Sequence, residues 1–154
     1  MKRFIYFLLI LPLAMMIASC SDDDKIPDVS VQAQVSNAVV DDNGDIYVVK
    51  GDVLKIDGIK LINNTDKDGA LGVVNYYLDY VFIGNSFTDP YGLEIPTENL
   101  KAGNYMLTAE APVYVVDYPV CIGAFSFKLI VVESADELPG TPEPATLNGV
   151  VKAK

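Results

Sequence analysis

Three oxygen-bearing side chains at alternating positions raise the question of a calcium site in this chain of 154 residues. Asp41, Asn43 and Asp45 have the one-three-five spacing of a calcium-binding loop. Such a loop also needs a glycine at its sixth position and a bidentate glutamate at its twelfth. Ile46 and Val53 occupy those positions. The segment therefore fits a hairpin turn better than a calcium site, and we expect neither a metal nor a cofactor.

The side chains that carry out most acid–base and nucleophilic catalysis are scarce. The chain has no histidine, which removes the commonest general base and metal ligand at neutral pH. Cys121 begins an apolar run without a histidine to activate it, so we expect it to pack as a small apolar side chain. Nearly all the acidic residues lie in turns and linkers, and they do not form a placed pair of the kind that glycosidases use. We therefore expect no catalytic residues and no enzyme activity.

Exposed tyrosines are the best candidates for contact with a ligand. Tyr77 and Tyr80 fall out of phase with the apolar face of their segment, and Tyr114 and Tyr118 lie near predicted loops. A tyrosine ring can stack on a sugar or fill a pocket in a protein interface. The alternative is that several of these rings pack against loops or on a second sheet, and the sequence leaves both interpretations open.

The elements that must position these residues are β-strands. Apolar and polar residues alternate with a period of two through most of the stretch from Val73 to Ala111, which is the pattern of half-buried strands. Similar short segments, separated by Gly, Asn, Asp and Pro, recur between Val29 and Val132. Seven or eight antiparallel strands at this spacing predict an all-β sandwich.

One predicted strand, from Val53 to Asn63, changes phase in its middle. Leu54 and Ile56 share one face, whereas Ile59 and Leu61 share the other. A β-bulge at Asp57-Gly58 would let both pairs face the core, and glycine suits such a position.

The N-terminal segment has the features of an export signal. Lys2 and Arg3 precede an apolar run, Phe4 to Ile17. That run is shorter than the roughly 20 apolar residues that a membrane-spanning helix needs. Small residues follow it, so residues 1–19 are predicted to be a cleaved signal peptide.

The residues around Cys20 resemble a bacterial lipobox, in which the cysteine receives the lipid. Ser21, Asp22, Asp23 and Asp24 then look like the surface-export signal of lipoproteins from the Bacteroidetes group. The resemblance implies a protein anchored in the outer membrane by two or more acyl chains, which together hold a protein stably, and exposed at the cell surface. The alternatives are a plain secreted protein and an acidic run that only solvates a linker.

The charge of the chain excludes one class of partner. The formal net charge is −10, and cleavage after Ser19 would remove Lys2 and Arg3 but no acid, giving −10 − 2 = −12. A strongly acidic chain with scattered lysines is unsuited to nucleic acid, because phosphate contacts need a clustered basic face. The partners that remain are the membrane, through the lipid, and a glycan or protein ligand; the oligomeric state is open.

The region from about residue 50 to residue 132 resembles the immunoglobulin-like modules of bacterial surface proteins and extracellular glycosidases. The matching positions are Tyr76, Leu78, Asp79, Ile83, Gly84, Pro90, Tyr91, Ala102, Gly103, Tyr105, Leu107 and Ala109. The resemblance implies an immunoglobulin-like β-sandwich in an extracellular setting. Modules of this kind serve as binding domains, spacers or stalks.

These observations together predict four segments. They are a lipoprotein signal peptide (1–19), an acidic lipidated tether (20–28), an immunoglobulin-like domain (29–134) and a flexible tail (135–154). The function expected of them is that of a non-catalytic, lipid-anchored binding or accessory module at the cell surface. The alternative is a structural spacer or subunit of an envelope assembly.

Overall fold

The computed structural model describes residues 25–154, and their regular structure is almost entirely β-strand. The strands are β1 (Val29–Ser36), β2 (Val39–Val40), β3 (Ile46–Val49), β4 (Val53–Asn63), β5 (Gly69–Leu71), β6 (Val74–Leu78), β7 (Val81–Ser86), β8 (Leu93–Pro96), β9 (Gly103–Val115), β10 (Cys121–Val132) and β11 (Ala145–Ala153). A single-turn 3-10 helix covers Ala135–Glu137. Within this range no helix has the length and apolarity to cross a membrane.

The predicted signal peptide and lipid-attachment site lie outside the described residues. This applies to residues 1–19, to Cys20, and to the proposed export signal at Ser21, Asp22, Asp23 and Asp24.

The strands form two layers. The first sheet has the order β11-β1-β4-β8, and the second has the order β7-β6-β9-β10. β5 pairs with β9, and β3 joins β10 in parallel, whereas the other pairs are antiparallel. Two sheets that pack face to face over a common core in this way make an immunoglobulin-like β-sandwich. The predicted fold class is confirmed, with eleven strands in place of seven or eight because several are very short.

The core lies between the sheets and takes apolar residues from both. Its largest fully buried side chains include Leu54 and Ile59 from the first sheet, and Tyr76, Leu107 and Leu129 from the second. Removing one such side chain from water contributes about 1.5–3 kcal/mol to folding. Cys121 is buried in the same core, as its sequence context predicted.

The predicted bulge in β4 is present. Gly58 pairs with Gln34 and Ile56 pairs with Val35, so Asp57 is the extra residue. The extra residue shifts the alternation of side chains between the two faces of β4 by one position, so Ile56 and Ile59 are both buried. Glycine is required here, since a Cβ atom at position 58 would lie 2.7 Å from the carbonyl oxygen of Pro90.

The prediction of a flexible tail over residues 135–154 is wrong for its last part. Residues Ala145–Ala153 form β11, and this strand completes the sandwich. Its first half, Ala145 to Gly149, pairs with β1 in the first sheet, and its second half, Val150 to Ala153, pairs with β10 in the second. The strand crosses between sheets at Gly149, where a Cβ atom would lie 2.7 Å from the Ala124 carbonyl oxygen and from the ring of Phe125. Leu147 is the one buried residue of β11, so the segment has too little apolar periodicity to be recognised by itself.

Candidate functional site

The turn between β6 and β7 adopts an unusual backbone conformation. Leu78 pairs with Val81, which leaves Asp79 and Tyr80 as a two-residue hairpin loop. Both have positive φ, 47° for Asp79 and 68° for Tyr80. Such a turn favours Asn and Gly, and a bulky residue in this left-handed region costs about 1–2 kcal/mol. Tyr80 is nevertheless 81% exposed, so its ring gains no burial that would offset the cost.

Hydrogen bonds to β9 hold this turn in place. The Met106 N–H donates to Asp79 Oδ1 at 2.7 Å, and the Asp79 N–H donates to the Met106 carbonyl oxygen at 2.9 Å. Short polar side chains tolerate positive φ when they bond locally to the backbone. Asp79 therefore stabilises the turn that displays Tyr80.

Large apolar side chains continue from the turn along β7. Tyr80, Val81, Phe82, Ile83 and Phe87, which we call the hairpin patch, are each between 36% and 81% exposed. β7 is the last strand of its sheet and pairs with β6 on one side only. Exposed apolar residues that follow one another along an edge strand are typical of an interaction site.

Two of the four predicted contact tyrosines lie on this hairpin. Tyr80 belongs to the hairpin patch, and the half-buried ring of Tyr77 packs edge-to-face against Phe82 with 5.9 Å between centroids. Tyr114 is exposed at the opposite end of β9 from Met106, and Tyr118 is half-buried against the core. The four tyrosines therefore do not form a single surface.

Sequence reasoning missed the apolar residues of the patch itself. Val81, Phe82 and Ile83 are consecutive, so both faces of β7 look apolar and suggest a strand buried on both sides. The position of β7 at the edge of its sheet depends on pairing with β6 and β9, which the local pattern does not encode.

The calcium-spaced residues form a hairpin turn. The Asp41 carboxylate accepts hydrogen bonds from the N–H groups of Asn43 and Asp45, both at 2.9 Å, while Asp45 pairs with Lys128 at 3.2 Å. Desolvation acts to raise the pKa of Asp41, but these hydrogen bonds together outweigh it and hold the pKa below its usual value. Among residues 25–154, no three Cys, Asp or Glu side chains lie close enough together to hold a metal ion.

A polar cleft of about 520 Å³ lies between this turn and the strands β10 and β11. It includes Asp41, Asp45, Phe127, Lys128 and Asn148. Three of its four charged groups are already engaged, since Asp45 pairs with Lys128 and Asp41 accepts hydrogen bonds from its own loop; the fourth is Asp42. The hairpin patch is therefore the better candidate for binding.

Comparison with known proteins yields one structural likeness. No protein-family model and no curated protein matches the chain. The structure is similar to that of the CbhA fibronectin(III)-like modules of Clostridium thermocellum, with 24% sequence identity and a TM-score of 0.38. The match covers 63% of this chain and 94% of that one.

Proposed function

We propose that this protein is a non-catalytic binding module, held at the outer face of the outer membrane by a lipid on Cys20, and that it binds a protein through the hairpin patch. The observation that carries the proposal is the strained and exposed position of Tyr80. A glycine would relieve the strain without loss of packing. A large ring kept in such a position is accounted for by a contact with another molecule.

The composition of the patch favours a protein over a glycan. Val81, Phe82, Ile83 and Phe87 carry no polar side-chain atom. A sugar needs several placed hydrogen-bonding groups beside an aromatic ring, whereas the centre of a protein interface is apolar and rich in aromatic residues. The tyrosine hydroxyl of Tyr80 adds a single polar group to an otherwise apolar surface.

The position of the patch suits display away from a membrane. The tether ends at Asp28, whose carbonyl oxygen accepts a hydrogen bond from the Asn64 N–H at 3.0 Å. A few residues further on, Gly69 pairs with Val115 at the far end of β9. The hairpin turn bonds to Met106, near the start of the same strand. At about 3.4 Å per residue, the patch lies about 30 Å along β9 from the tethered end.

Site-specific photo-cross-linking in intact cells would test this function. A photoreactive phenylalanine analogue at Phe82 should form an adduct with a discrete protein, and the same analogue at Tyr114, near the tethered end, should not. Equal adducts from both positions, or none from Phe82, would contradict binding through the patch and favour the spacer alternative. Protease shaving of the same cells, beside a variant with Asp22, Asp23 and Asp24 changed to Ala, tests the surface location separately.

A further inference from the structure

The free edge of β7 bears none of the residues that usually protect a sheet edge. Natural edge strands carry charged residues, especially lysine, or proline, which discourage pairing with another chain. β7 has neither, although a bulge at Ile83, which is another device that protects sheet edges, interrupts its pairing with β6. The residues of β7 are exposed or half-buried throughout. β6 occupies one side of β7, and no strand among residues 25–154 pairs with the other.

The opposite edge strand, β8, gives an internal comparison. It ends in Pro96, carries Glu94 in an ion pair with Lys55 at 3.2 Å, and buries Ile95 in the core. This edge is therefore protected by charge and proline, while its apolar residues face inward. Among residues 25–154, β7 and β8 lie at the two ends of the main strand order, and of these two strands only β7 exposes apolar residues beside unpaired backbone groups.

The charge near β7 limits which chain can occupy this edge. Between Lys67 and Lys101 the sequence contains no basic residue. Asp79 lies in the turn directly before β7 and Asp89 follows β7 within three residues, so an acidic residue stands on each side of the strand. A second copy of this chain would bring two acidic stretches together, in a protein whose net charge is already −10. A partner segment with basic residues is favoured instead.

We propose that the partner binds as an extended β-strand, added to the free edge of β7, with apolar side chains at its centre and lysine or arginine at its flanks. This inference rests on the proposed function, since it specifies how the hairpin patch engages its protein ligand. Backbone hydrogen bonds to β7 supply general affinity, and the apolar side chains of Phe82, Ile83 and Phe87 select the central residues. The basic flanks accelerate association and make it sensitive to salt.

Synthetic peptides provide a direct probe. The test peptide has about ten residues, with alternating valine and threonine at the centre and lysines at both ends. A second peptide has glutamates in place of the lysines. Two more peptides carry N-methyl groups, one on the odd-numbered amides and the other on the even-numbered amides. In an extended strand, each pattern removes the hydrogen-bond donors from one edge only. Binding is measured by titration calorimetry, and backbone contact by hydrogen exchange of the β7 amides.

The lysine-flanked peptide should bind and slow exchange of the outward amides of β7 by about tenfold or more. The glutamate-flanked peptide should bind about tenfold more weakly at low salt. The peptide that is methylated on the amides facing β7 should not bind. The peptide that is methylated on the other set of amides should still bind. The variant Ile83→Lys should lose binding, whereas Val150→Lys, at an exposed site on β11, should keep it; thermal unfolding confirms that both variants fold.

Other outcomes would overturn the inference in distinct ways. Equal binding of both N-methylated peptides would show that backbone pairing plays no part, and an adduct from Phe82 in cells would then preserve the proposed function alone. Absence of both peptide binding and the cellular adduct would remove the inference and the function together. A concentration-dependent dimer abolished by Ile83→Lys would identify a second copy as the occupant, and patch-dependent binding on a glycan array would identify a sugar; each contradicts strand addition by a basic partner.

Discussion

Asp79 and Met106 exchange two hydrogen bonds, one through the Asp79 carboxylate at 2.7 Å and one through its backbone N–H at 2.9 Å. These bonds attach the β6–β7 turn to β9 near the start of that strand. The backbone that displays the ring of Tyr80 is consequently attached to β9 and does not form a loose loop. Binding surfaces held in this way lose less conformational freedom when a partner binds.

Replacing Asp79 should loosen the turn. Asp79→Ala removes the acceptor of the Met106 N–H and should lower the free energy of unfolding by about 1 kcal/mol, because the site is exposed and water replaces part of the bond. Asp79→Asn keeps an acceptor oxygen and tolerates positive φ, so it should stay close to the wild type. Urea denaturation measures both, and equal stability of Asp79→Ala and wild type would show that the turn does not depend on this bond.

Replacing Tyr80 should separate stability from binding. Tyr80→Gly relieves the positive φ, and this gain of about 1–2 kcal/mol is offset by the greater chain entropy of glycine, about 0.5–1 kcal/mol. The variant should therefore be as stable as the wild type or slightly more stable in thermal unfolding. The yield of the cross-linked adduct from Phe82 should nevertheless fall. A variant that is destabilised would instead assign the ring of Tyr80 a structural role.

Tyr76 should make the domain sensitive to alkaline pH. It is fully buried, and its hydroxyl donates a hydrogen bond to the Tyr91 carbonyl oxygen. Burial raises the pKa of Tyr76 above its ordinary value of 10.0. The folded state therefore retains a proton that the unfolded chain releases, so stability is unaffected below about pH 10 and falls as the pH rises further.

The variant Tyr76→Phe tests this dependence. It should cost about 1–3 kcal/mol at neutral pH, because the Tyr91 carbonyl oxygen loses its donor. It should also lose less stability than the wild type between neutral pH and strongly alkaline pH. Tyr114→Phe, which removes the hydroxyl of an exposed ring, is the matched control and should keep the wild-type loss. Parallel pH profiles for Tyr76→Phe and wild type would contradict the assignment.

Thr97 is the buried polar residue that joins β8 to the turn between β3 and β4. Its hydroxyl accepts a hydrogen bond from the Gly51 N–H at 3.0 Å and donates to the Asp52 carbonyl oxygen at 2.7 Å. Thr97→Val keeps the shape but leaves Gly51 without that acceptor, so it should destabilise the domain by about 1–3 kcal/mol. Thr97→Ser, which keeps the hydroxyl, should cost less in the same denaturation experiment; the reverse order would mean that packing dominates.

Gly149 allows β11 to cross between the sheets. An added Cβ atom would meet the Ala124 carbonyl oxygen and the Phe125 ring at 2.7 Å, so Gly149→Ala should displace β11. We expect a lower melting temperature and faster amide exchange across β11. Gly140→Ala is the control, because its nearest neighbour, a methyl group of Val39, lies at an ordinary 3.6 Å. Similar melting temperatures for the two variants would show that β11 contributes little to stability.

The sequence-based predictions succeeded where the signal lay within one strand. They failed where the structure depended on pairing between residues far apart in sequence. The bulge at Asp57-Gly58 was predictable, because a change of hydrophobic phase within one strand is a local signal. The exposure of Val81, Phe82 and Ile83 was not, because apolar residues at a sheet edge have the same local pattern as buried ones. The strand at Ala145–Ala153 was also missed, since its stability comes from two neighbouring strands rather than from its own residues.

The sequence by itself determined the class of fold, because period-two alternation between turn residues requires strands that bury one face. It also determined the absence of histidine and the acidic charge, which limit the chemistry and the partners. The tertiary structure alone decided which strand lies at an exposed edge, where the start of β1 stands relative to the hairpin patch, and that β11 closes the sandwich. These features depend on pairing between residues far apart in sequence, which the periodicity of a single segment does not specify.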